Sequence, residues 1–113
     1  MSISFQGIGQ VCATFLRGTV AEGQPVKISG AGTVAACGAG DDFCGVAVCK
    51  KDDACAVQVA GFVTVGYSGT APALGWTALA ADGSGGVKTV STGGRTYLAV
   101  DTDAANKTVT ILL

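Results

Sequence analysis

The side chains best suited to catalysis are scarce in this chain of 113 residues, which contains no histidine. A nucleophile needs a base within hydrogen-bonding reach to take its proton, and that base is most often histidine. Two adjacent carboxylate pairs, Asp41-Asp42 and Asp52-Asp53, have the residue types of a glycosidase acid and base. Neighbouring residues in a strand point apart, however, and both pairs lie in predicted turns, where aspartate accepts local backbone hydrogen bonds. We therefore interpret both pairs as turn residues and predict no catalytic residues and no enzymatic activity.

Cysteines offer the next candidate chemistry, as metal ligands or as disulfides. The chain has five of them: Cys12, Cys37, Cys44, Cys49 and Cys55. An odd number without a secretory signal argues against a secreted disulfide framework. Structural zinc sites usually present two close pairs, most often Cys-x2-Cys, whereas the gaps between the last four cysteines here are six, four and five residues. We predict small buried thiols, with a metal site and a single adventitious disulfide as the alternatives.

Two glycine- or aspartate-rich segments and three aromatic residues complete the candidates. Residues 101–106 carry oxygen ligands at positions one, three and six, but an EF-hand loop needs positions one, three and five and a distant glutamate. Residues 83–88 are rich in glycine, but a P-loop needs Gly-Lys-Ser/Thr at the start of a helix. We interpret both segments as turns and predict no metal and no cofactor.

Tyr67, Trp76 and Tyr97 are suited either to an aromatic platform for a sugar or nucleobase or to filling the core.

The overall composition excludes several classes of protein. Apolar residues make up 49% of the chain and charged residues 13%, a balance that excludes an intrinsically disordered protein. Seven basic and eight acidic residues give a net charge of -1, so the dense basic stripe of a nucleic-acid binder is missing. The chain has no run of about 20 apolar residues, and its start, MSISFQGIGQ, lacks the features of a secretory signal. We therefore expect a cytosolic protein, or one released only by cell lysis, with no nucleic-acid and no membrane partner.

Period-two alternation dominates the chain and predicts β-strands. The clearest case runs from Cys55 to Tyr67, where the odd positions are mostly apolar and the even positions are smaller or more polar, apart from Phe62. We expect the odd positions of this segment to be buried. Gly61 interrupts this segment and predicts a bend at which the strand passes from one sheet to another. The other predicted strands are Val11–Leu16, Pro25–Ser29, Thr33–Cys37, Phe43–Cys49, Gly75–Ala81, Val87–Ser91, Thr96–Val100 and Thr108–Leu113.

Many short strands separated by turns predict the fold class. We expect an all-β protein: a single compact β-barrel or sandwich of short, mostly antiparallel strands with glycine-rich turns. Residues 11–113 form the single β domain in this prediction, and residues 1–10 form an N-terminal arm or edge strand. Within the arm, Ile3 and Phe5 alternate with serines, as in an edge strand. These two side chains either contact a partner by adding to its sheet edge or cap this protein's own barrel.

Five short segments follow one another in a distinctive order over residues 20–113. Residues 23–28 read Gly-Gln-Pro-Val-Lys-Ile, 43–47 contain Gly-Val-Ala, 58–65 read Gln-Val-Ala-Gly-Phe-Val-Thr-Val, 74–79 read Leu-Gly-Trp-Thr-Ala-Leu, and 108–113 read Thr-Val-Thr-Ile-Leu-Leu. In this order they resemble segments of the capsid decoration (head-stabilising) proteins of tailed bacteriophages and prophages. The matching segments of that family are the G-x-P-V-x-V opening, the G-V-A strand, the V-x-G-x-V-x-V strand, the G-x-x-V/L strand and the last strand. The cysteine content and the short N-terminal segment depart from that pattern.

The resemblance implies a structural protein without catalytic residues. Its implied partners are the major capsid protein and copies of itself, often as a homotrimer on the outer surface of the capsid. Its implied location is the virion, after synthesis in the cytoplasm of the bacterial host. Two other functions are kept as alternatives: another virion structural piece, such as a head-fibre or tail subunit, and a small glycan- or small-molecule-binding β module that uses Trp76, Tyr67 or Tyr97.

Overall fold

The computed structural model describes residues 11–18 and 20–113. Ten β-strands lie in this part of the chain, and no helix occurs within it. The strands are β1 (Val11–Arg17), β2 (Pro25–Gly30), β3 (Thr33–Ala36), β4 (Gly45–Lys51), β5 (Ala54–Ala60), β6 (Phe62–Gly66), β7 (Gly75–Ala81), β8 (Val87–Thr89), β9 (Arg95–Asp103) and β10 (Thr108–Leu112). The all-β class predicted from the alternation is confirmed.

The first five strands close into a barrel in the order β1-β3-β2-β4-β5. All pairs are antiparallel except β1 with β3, where Leu16 pairs with Thr33 and Arg17 with Val34 in parallel register. The barrel interior holds a cluster of small apolar side chains: Val20, Val26, Val34, Ala47, Cys55 and Val57, with Phe15, Cys44 and Val59 packed against them.

The last five strands form a second sheet in the order β6-β10-β9-β7-β8. Its strand pairs are antiparallel, and a single parallel bridge joins Tyr67, just after β6, to Val87 in β8. A second core cluster packs at the inner face of this sheet: Phe43, Val46, Val65, Tyr67, Leu79, Val87, Tyr97, Ala99, Val109 and Ile111. Phe43 and Val46 come from the barrel half of the chain, so the two halves share this second core.

Gly61 is the point at which the chain leaves the barrel and enters the second sheet. It adopts a φ of 93°, a conformation that favours glycine, and it separates β5 from β6. The side-chain amide of Gln58 donates hydrogen bonds to the carbonyls of Ala60 (3.1 Å) and Phe62 (2.8 Å), on either side of the bend. The predicted change of sheet at Gly61 is confirmed. The expected exposure of the even positions is wrong at Gln58, which is buried because its amide satisfies the two carbonyls of the bend.

Most strand predictions are confirmed with shifted ends. The predicted Gly75–Ala81 strand matches β7 over its whole length, and Val109 and Ile111 of the last strand are both buried. The predicted Phe43–Cys49 strand begins two residues later, at Gly45, because Phe43 turns into the second core. The predicted Thr96–Val100 strand is longer than expected, since β9 runs from Arg95 to Asp103. The predicted arm at residues 1–10, with Ile3 and Phe5, lies outside the described residues.

Candidate interaction surface

Four large apolar side chains lie in register across the outer face of the second sheet. Trp76 in β7 pairs with Leu98 in β9, Leu98 pairs with Leu112 in β10, and Leu112 pairs with Phe62 in β6. Residues directly opposite each other in antiparallel strands project from the same face. We call these four residues the apolar row. Trp76 is 72% exposed, and the other three are partly buried.

The apolar row faces outward because the positions next to it fill the core. In the register next to the row, Ala99 pairs with Gly75 on one side and Ile111 on the other, and Ile111 pairs with Val63. Ala99 and Ile111 are buried, and successive side chains of a strand point to opposite faces. Large apolar residues therefore occupy both faces of this sheet, one face inside the protein and one at the surface.

Small uncharged side chains flank the apolar row. On one side, Thr64 and Thr110 are register partners whose hydroxyls share a 2.8 Å hydrogen bond. On the other side, Ala78 pairs with Thr96. Asp101, the register partner of Thr110, is the nearest charged residue along the strands on this face. A flat apolar centre with a polar rim has the composition of a protein-contact surface rather than of a catalytic cleft.

The first aspartate pair lies in a loop, as predicted from the sequence. The carboxylate of Asp41 accepts a 2.6 Å hydrogen bond from the Lys27 ammonium and a 2.8 Å bond from the Gly38 backbone N–H. The Lys27 hydrogen bond, followed by the Gly38 bond, lowers the pKa of Asp41. Asp42 lies beside this ion pair, and together they line an open groove of about 430 Å³ that also contains Arg95.

Hydrogen bonds also hold the other two predicted aspartate turns. Asp52, with a φ of 52°, occupies the turn between β4 and β5, and its carbonyl accepts a hydrogen bond from the Arg17 side chain (2.6 Å). The carboxylate of Asp103 accepts hydrogen bonds from the backbone N–H groups of Ala105 and Asn106. The side-chain amide of Asn106, followed by its backbone N–H, lowers the pKa of Asp103. Within the described part of the chain, no group of three or more Cys, Asp and Glu side chains could hold a metal ion.

Asp82 organises the glycine-rich loop at residues 83–86. One carboxylate oxygen accepts hydrogen bonds from the backbone N–H groups of Ser84 (2.6 Å) and Gly86 (3.0 Å), and the other accepts one from the Ser68 hydroxyl. Burial by itself raises the pKa of this carboxyl, but the three hydrogen bonds outweigh it, and the pKa of Asp82 is lowered. The loop therefore wraps around a carboxylate of its own chain, whereas a P-loop wraps around a phosphate.

We predict that Asp82→Asn destabilises the protein in a pH-dependent manner. Since the folded-state pKa is lower than the unfolded one, the ionised carboxylate stabilises the fold above the unfolded pKa of about 3.9, and this stabilisation is lost as the pH falls through the folded pKa. Urea unfolding at pH 7 should show a loss of about 1–2 kcal/mol. The gap between wild type and variant should close between pH 5 and pH 2. A gap that stays constant over this range would contradict the prediction.

The three aromatic residues considered as a platform do not lie together. Tyr67 and Tyr97 are buried in the second core, and Tyr97 stacks on Phe43 with 4.9 Å between ring centroids. The Tyr97 hydroxyl donates a 3.2 Å hydrogen bond to the Phe43 carbonyl. Trp76 lies on the opposite, outer face of the same sheet. The interpretation of the two tyrosines as core residues is confirmed, and the three-ring platform is wrong.

The described cysteines differ in exposure. Cys55 is buried, Cys37 and Cys44 are partly buried, and Cys12 is exposed, so the expectation of uniformly buried thiols is wrong at Cys12. Burial, followed by the negative charge of Asp41, raises the pKa of the Cys37 thiol to about 11. Burial likewise raises the pKa of Cys44. Both thiols are therefore protonated at neutral pH and poorly suited to nucleophilic chemistry.

The sequence analysis did not find the apolar row. A signal was present, because Phe62 breaks the alternation of its strand by placing a large apolar residue on the more polar face. Leu98 and Leu112 likewise share a face with threonines in their own strands, and Trp76 shares its face of β7 with alanines. Recognising the row required knowing that these four strands are neighbours, and their order in the sheet differs from their order in the sequence.

No protein-family model matches this chain, and no curated protein matches it. Within the described residues, no helix has the length and apolar character needed to cross a membrane.

Proposed function

We propose that this chain is a non-enzymatic structural protein that binds the outer surface of a bacteriophage capsid and stabilises the head. Its partners in this proposal are the major capsid protein and copies of itself in a homotrimer. It is made in the cytoplasm of the bacterial host and ends on the virion surface. The order of the segments between residues 20 and 113, which resembles that of head decoration proteins, led to the proposal.

The observation that carries the proposal is the presence of exposed apolar side chains on both sheets. The second sheet presents Trp76 at 72% exposure, and the barrel presents Leu16 at 58% exposure together with Val11, Ile28 and Val48. A protein that stabilises a shell must contact at least two neighbours at once, and exposed apolar groups are what such contacts bury. Apolar surface on two different sheets supports this role.

The packing of the two halves also supports the proposal. Phe43 and Val46 carry the barrel half into the core of the second sheet, so force applied to one half is transmitted to the other through packed side chains. The Phe43–Tyr97 stack and the hydrogen bond between the same two residues reinforce this junction. A clamp requires this kind of stiffness.

Co-sedimentation with expanded, undecorated phage heads under reducing conditions tests the proposal. We expect the protein to saturate the heads at a fixed ratio to the major capsid protein. Heads already carrying their own decoration protein serve as the control and should bind much less. A folded, soluble protein that stays in the supernatant at all concentrations would contradict capsid binding.

The contribution of the N-terminal segment is tested in the same assay. If Ile3 and Phe5 contact the shell, deleting residues 2–8 should weaken binding at an unchanged thermal midpoint. Unchanged binding with an intact fold would contradict this contact. A lowered thermal midpoint would favour the alternative in which the two side chains cap this protein's own barrel.

A glycan-binding module is the second candidate function, and the 72% exposure of Trp76 favours it. Sugar rings stack on exposed indole faces, but such sites add hydrogen-bonding side chains around the ring, whereas the neighbours of Trp76 in the row are aliphatic. Titration of the Trp76 fluorescence with oligosaccharides separates the two functions. A saturable change would support glycan binding, and no change would leave the apolar row to a protein partner.

A further inference from the structure

We propose that the outer edge of β8 is a docking site for an extended peptide, a segment of a partner protein that adds to the second sheet as a further strand and places an acidic side chain on Lys88. β8 is the last strand in the order of this sheet. Among the described residues, one bridge joins its outer edge to another segment: Tyr67 pairs with Val87 in parallel, and the Ser68 N–H donates a 2.9 Å hydrogen bond to the Val87 carbonyl. Past Ser68, a groove separates the chain from β8.

The backbone of Thr89 points into this groove. On its inner side β8 pairs with β7, and the Val90 N–H donates a 3.1 Å hydrogen bond to the Ala78 carbonyl. Hydrogen-bonded and non-bonded pairs alternate along an antiparallel ladder, so the next pair, Thr89 with Leu79, is non-bonded. The N–H and C=O of Thr89 therefore face away from β7, on the same side as the carbonyl of Val87. Neither group has a hydrogen-bonding partner in the part of the chain that the structure describes.

The groove has room for a short extended segment. Residues 68–73 form one wall, residues 88–91 form the other, and the volume between them is about 730 Å³. An extended residue within a sheet takes roughly 3.3 Å of length, 4.8 Å of width and 10 Å of height, so about four residues fit. Hydrogen bonds anchor both walls, from the Ser68 hydroxyl to Asp82 and from the Val90 N–H to β7. Because the groove is already formed, binding has little ordering of the protein to offset.

Lys88 determines the side-chain chemistry of the occupant. Its ammonium lines the groove and forms no ion pair or hydrogen bond with the described residues. The carboxylate of Asp82 also lines the groove, but it already accepts three hydrogen bonds from its own chain. The unpaired charge is therefore positive and favours an acidic side chain in the peptide. The remaining lining is made of hydroxyls and small apolar groups, which suit small uncharged neighbours: Thr70, Ala71, Ala73, Thr89, Val90 and Ser91.

Selection from a library of random heptapeptides displayed on yeast tests the inference without assuming a partner. We expect enrichment of sequences that combine residues suited to strands with one Asp or Glu, and synthetic copies should bind with dissociation constants of about 10–100 µM. Nuclear magnetic resonance of the labelled protein locates the bound peptide. Its amide shifts should concentrate at residues 68–73 and 88–91, and hydrogen exchange at the Thr89 N–H should slow when the peptide is present.

Thr89→Pro removes the N–H that the peptide requires. Proline is tolerated on an edge strand where the N–H faces away from the sheet, so the thermal midpoint should stay close to the wild-type value. Peptide binding should weaken about tenfold, as expected for the loss of one hydrogen bond. Lys88→Pro is the matched comparison and should destabilise the fold strongly, because the Lys88 N–H faces Ala80 of β7 in the adjacent, hydrogen-bonded pair.

Lys88→Gln tests the charge. This variant should bind the acidic peptides about threefold more weakly, and its own selection should lose the preference for Asp and Glu. Lys107→Gln is the control, since it removes the same charge from the turn between β9 and β10 and should bind as the wild type does.

A library without enriched peptides would overturn the inference, as would amide shifts that lie away from the groove. Wild-type affinity in Thr89→Pro would overturn it too, and an unfolded Thr89→Pro would show that the N–H is needed inside the fold. Enriched peptides without acidic residues would contradict the role of Lys88. No heads are present in these experiments, so a protein that binds peptides at β8 but fails to sediment with heads would contradict only the proposed function.

Discussion

Replacing Phe43 with alanine is expected to lower the free energy of unfolding by about 3–5 kcal/mol, a large share of the 5–15 kcal/mol typical of a small domain. Phe43 is 1% exposed, and its ring stacks on Tyr97 with an interplanar angle of 8°. The substitution removes the ring and leaves a cavity at the junction between the barrel segment and the second sheet. The neighbouring β-sheet backbone is hydrogen-bonded and can close such a cavity only in part.

Urea unfolding followed both by far-UV circular dichroism and by Trp76 fluorescence measures this loss. The fluorescence reports on the second sheet alone, and the dichroism reports on all strands. We expect both midpoints to fall together. Phe43→Leu is the matched control and should cost about 1–2 kcal/mol, because it retains most of the buried volume. A loss below about 1 kcal/mol for Phe43→Ala would show that the stack does not hold the halves together.

The fold could be predicted from the sequence where the pattern is local. β7 and the change of sheet at Gly61 follow from alternation and from a glycine at its interruption, and these signals lie within about ten residues of the strands that they define. The turn at Asp52-Asp53 follows from turn chemistry in the same way. Such features require no knowledge of distant neighbours.

Features that depend on distant neighbours could not be predicted. Gln58 looks like a surface residue in its own strand, and it is buried because the bend at Gly61 leaves two carbonyls for its amide to satisfy. Phe43 looks like the start of a strand, and it instead packs beneath Tyr97, 54 residues along the chain. The division of ten strands into a barrel and a second sheet likewise depends on pairing that alternation alone does not encode.

The candidate site shows the same limit. A search for chemically reactive residue types selects aspartates, cysteines and aromatic rings. Most of these residues form hydrogen bonds in turns or pack in the core. The surface that stands out is built from Trp76, Leu98, Leu112 and Phe62, none of which has reactive chemistry. It exists only through the register of four strands whose order in the sheet differs from their order in the sequence. For a protein whose function is contact, the informative signal is an apolar residue on the wrong face of its strand.

The second large effect is expected at Gly94, in the turn that leads into β9. Gly93 and Gly94 have nearly the same backbone conformation, with φ values of 72° and 71°, in a region that costs other residues roughly 1–2 kcal/mol. A Cβ at Gly93 would meet nothing within 4 Å, whereas a Cβ at Gly94 would lie 2.7 Å from both the Leu79 carbonyl oxygen and a Val90 methyl group. We therefore expect Gly93→Ala to cost about 1–2 kcal/mol and Gly94→Ala about 3–5 kcal/mol.

The difference between these two neighbouring variants isolates the close approach of the turn to β7. Both alanines restrict the unfolded chain equally and both carry the same strain of positive φ, so these contributions cancel in the comparison. What remains is the displacement of the Leu79 carbonyl, which lies where β7 pairs with Arg95 of β9. Thermal and urea unfolding of the two variants measure it directly. Equal losses would mean that the turn moves away from β7 at little cost. The strands themselves, and not the turn between β8 and β9, would then determine the β7–β9 pairing that aligns Trp76 with Leu98.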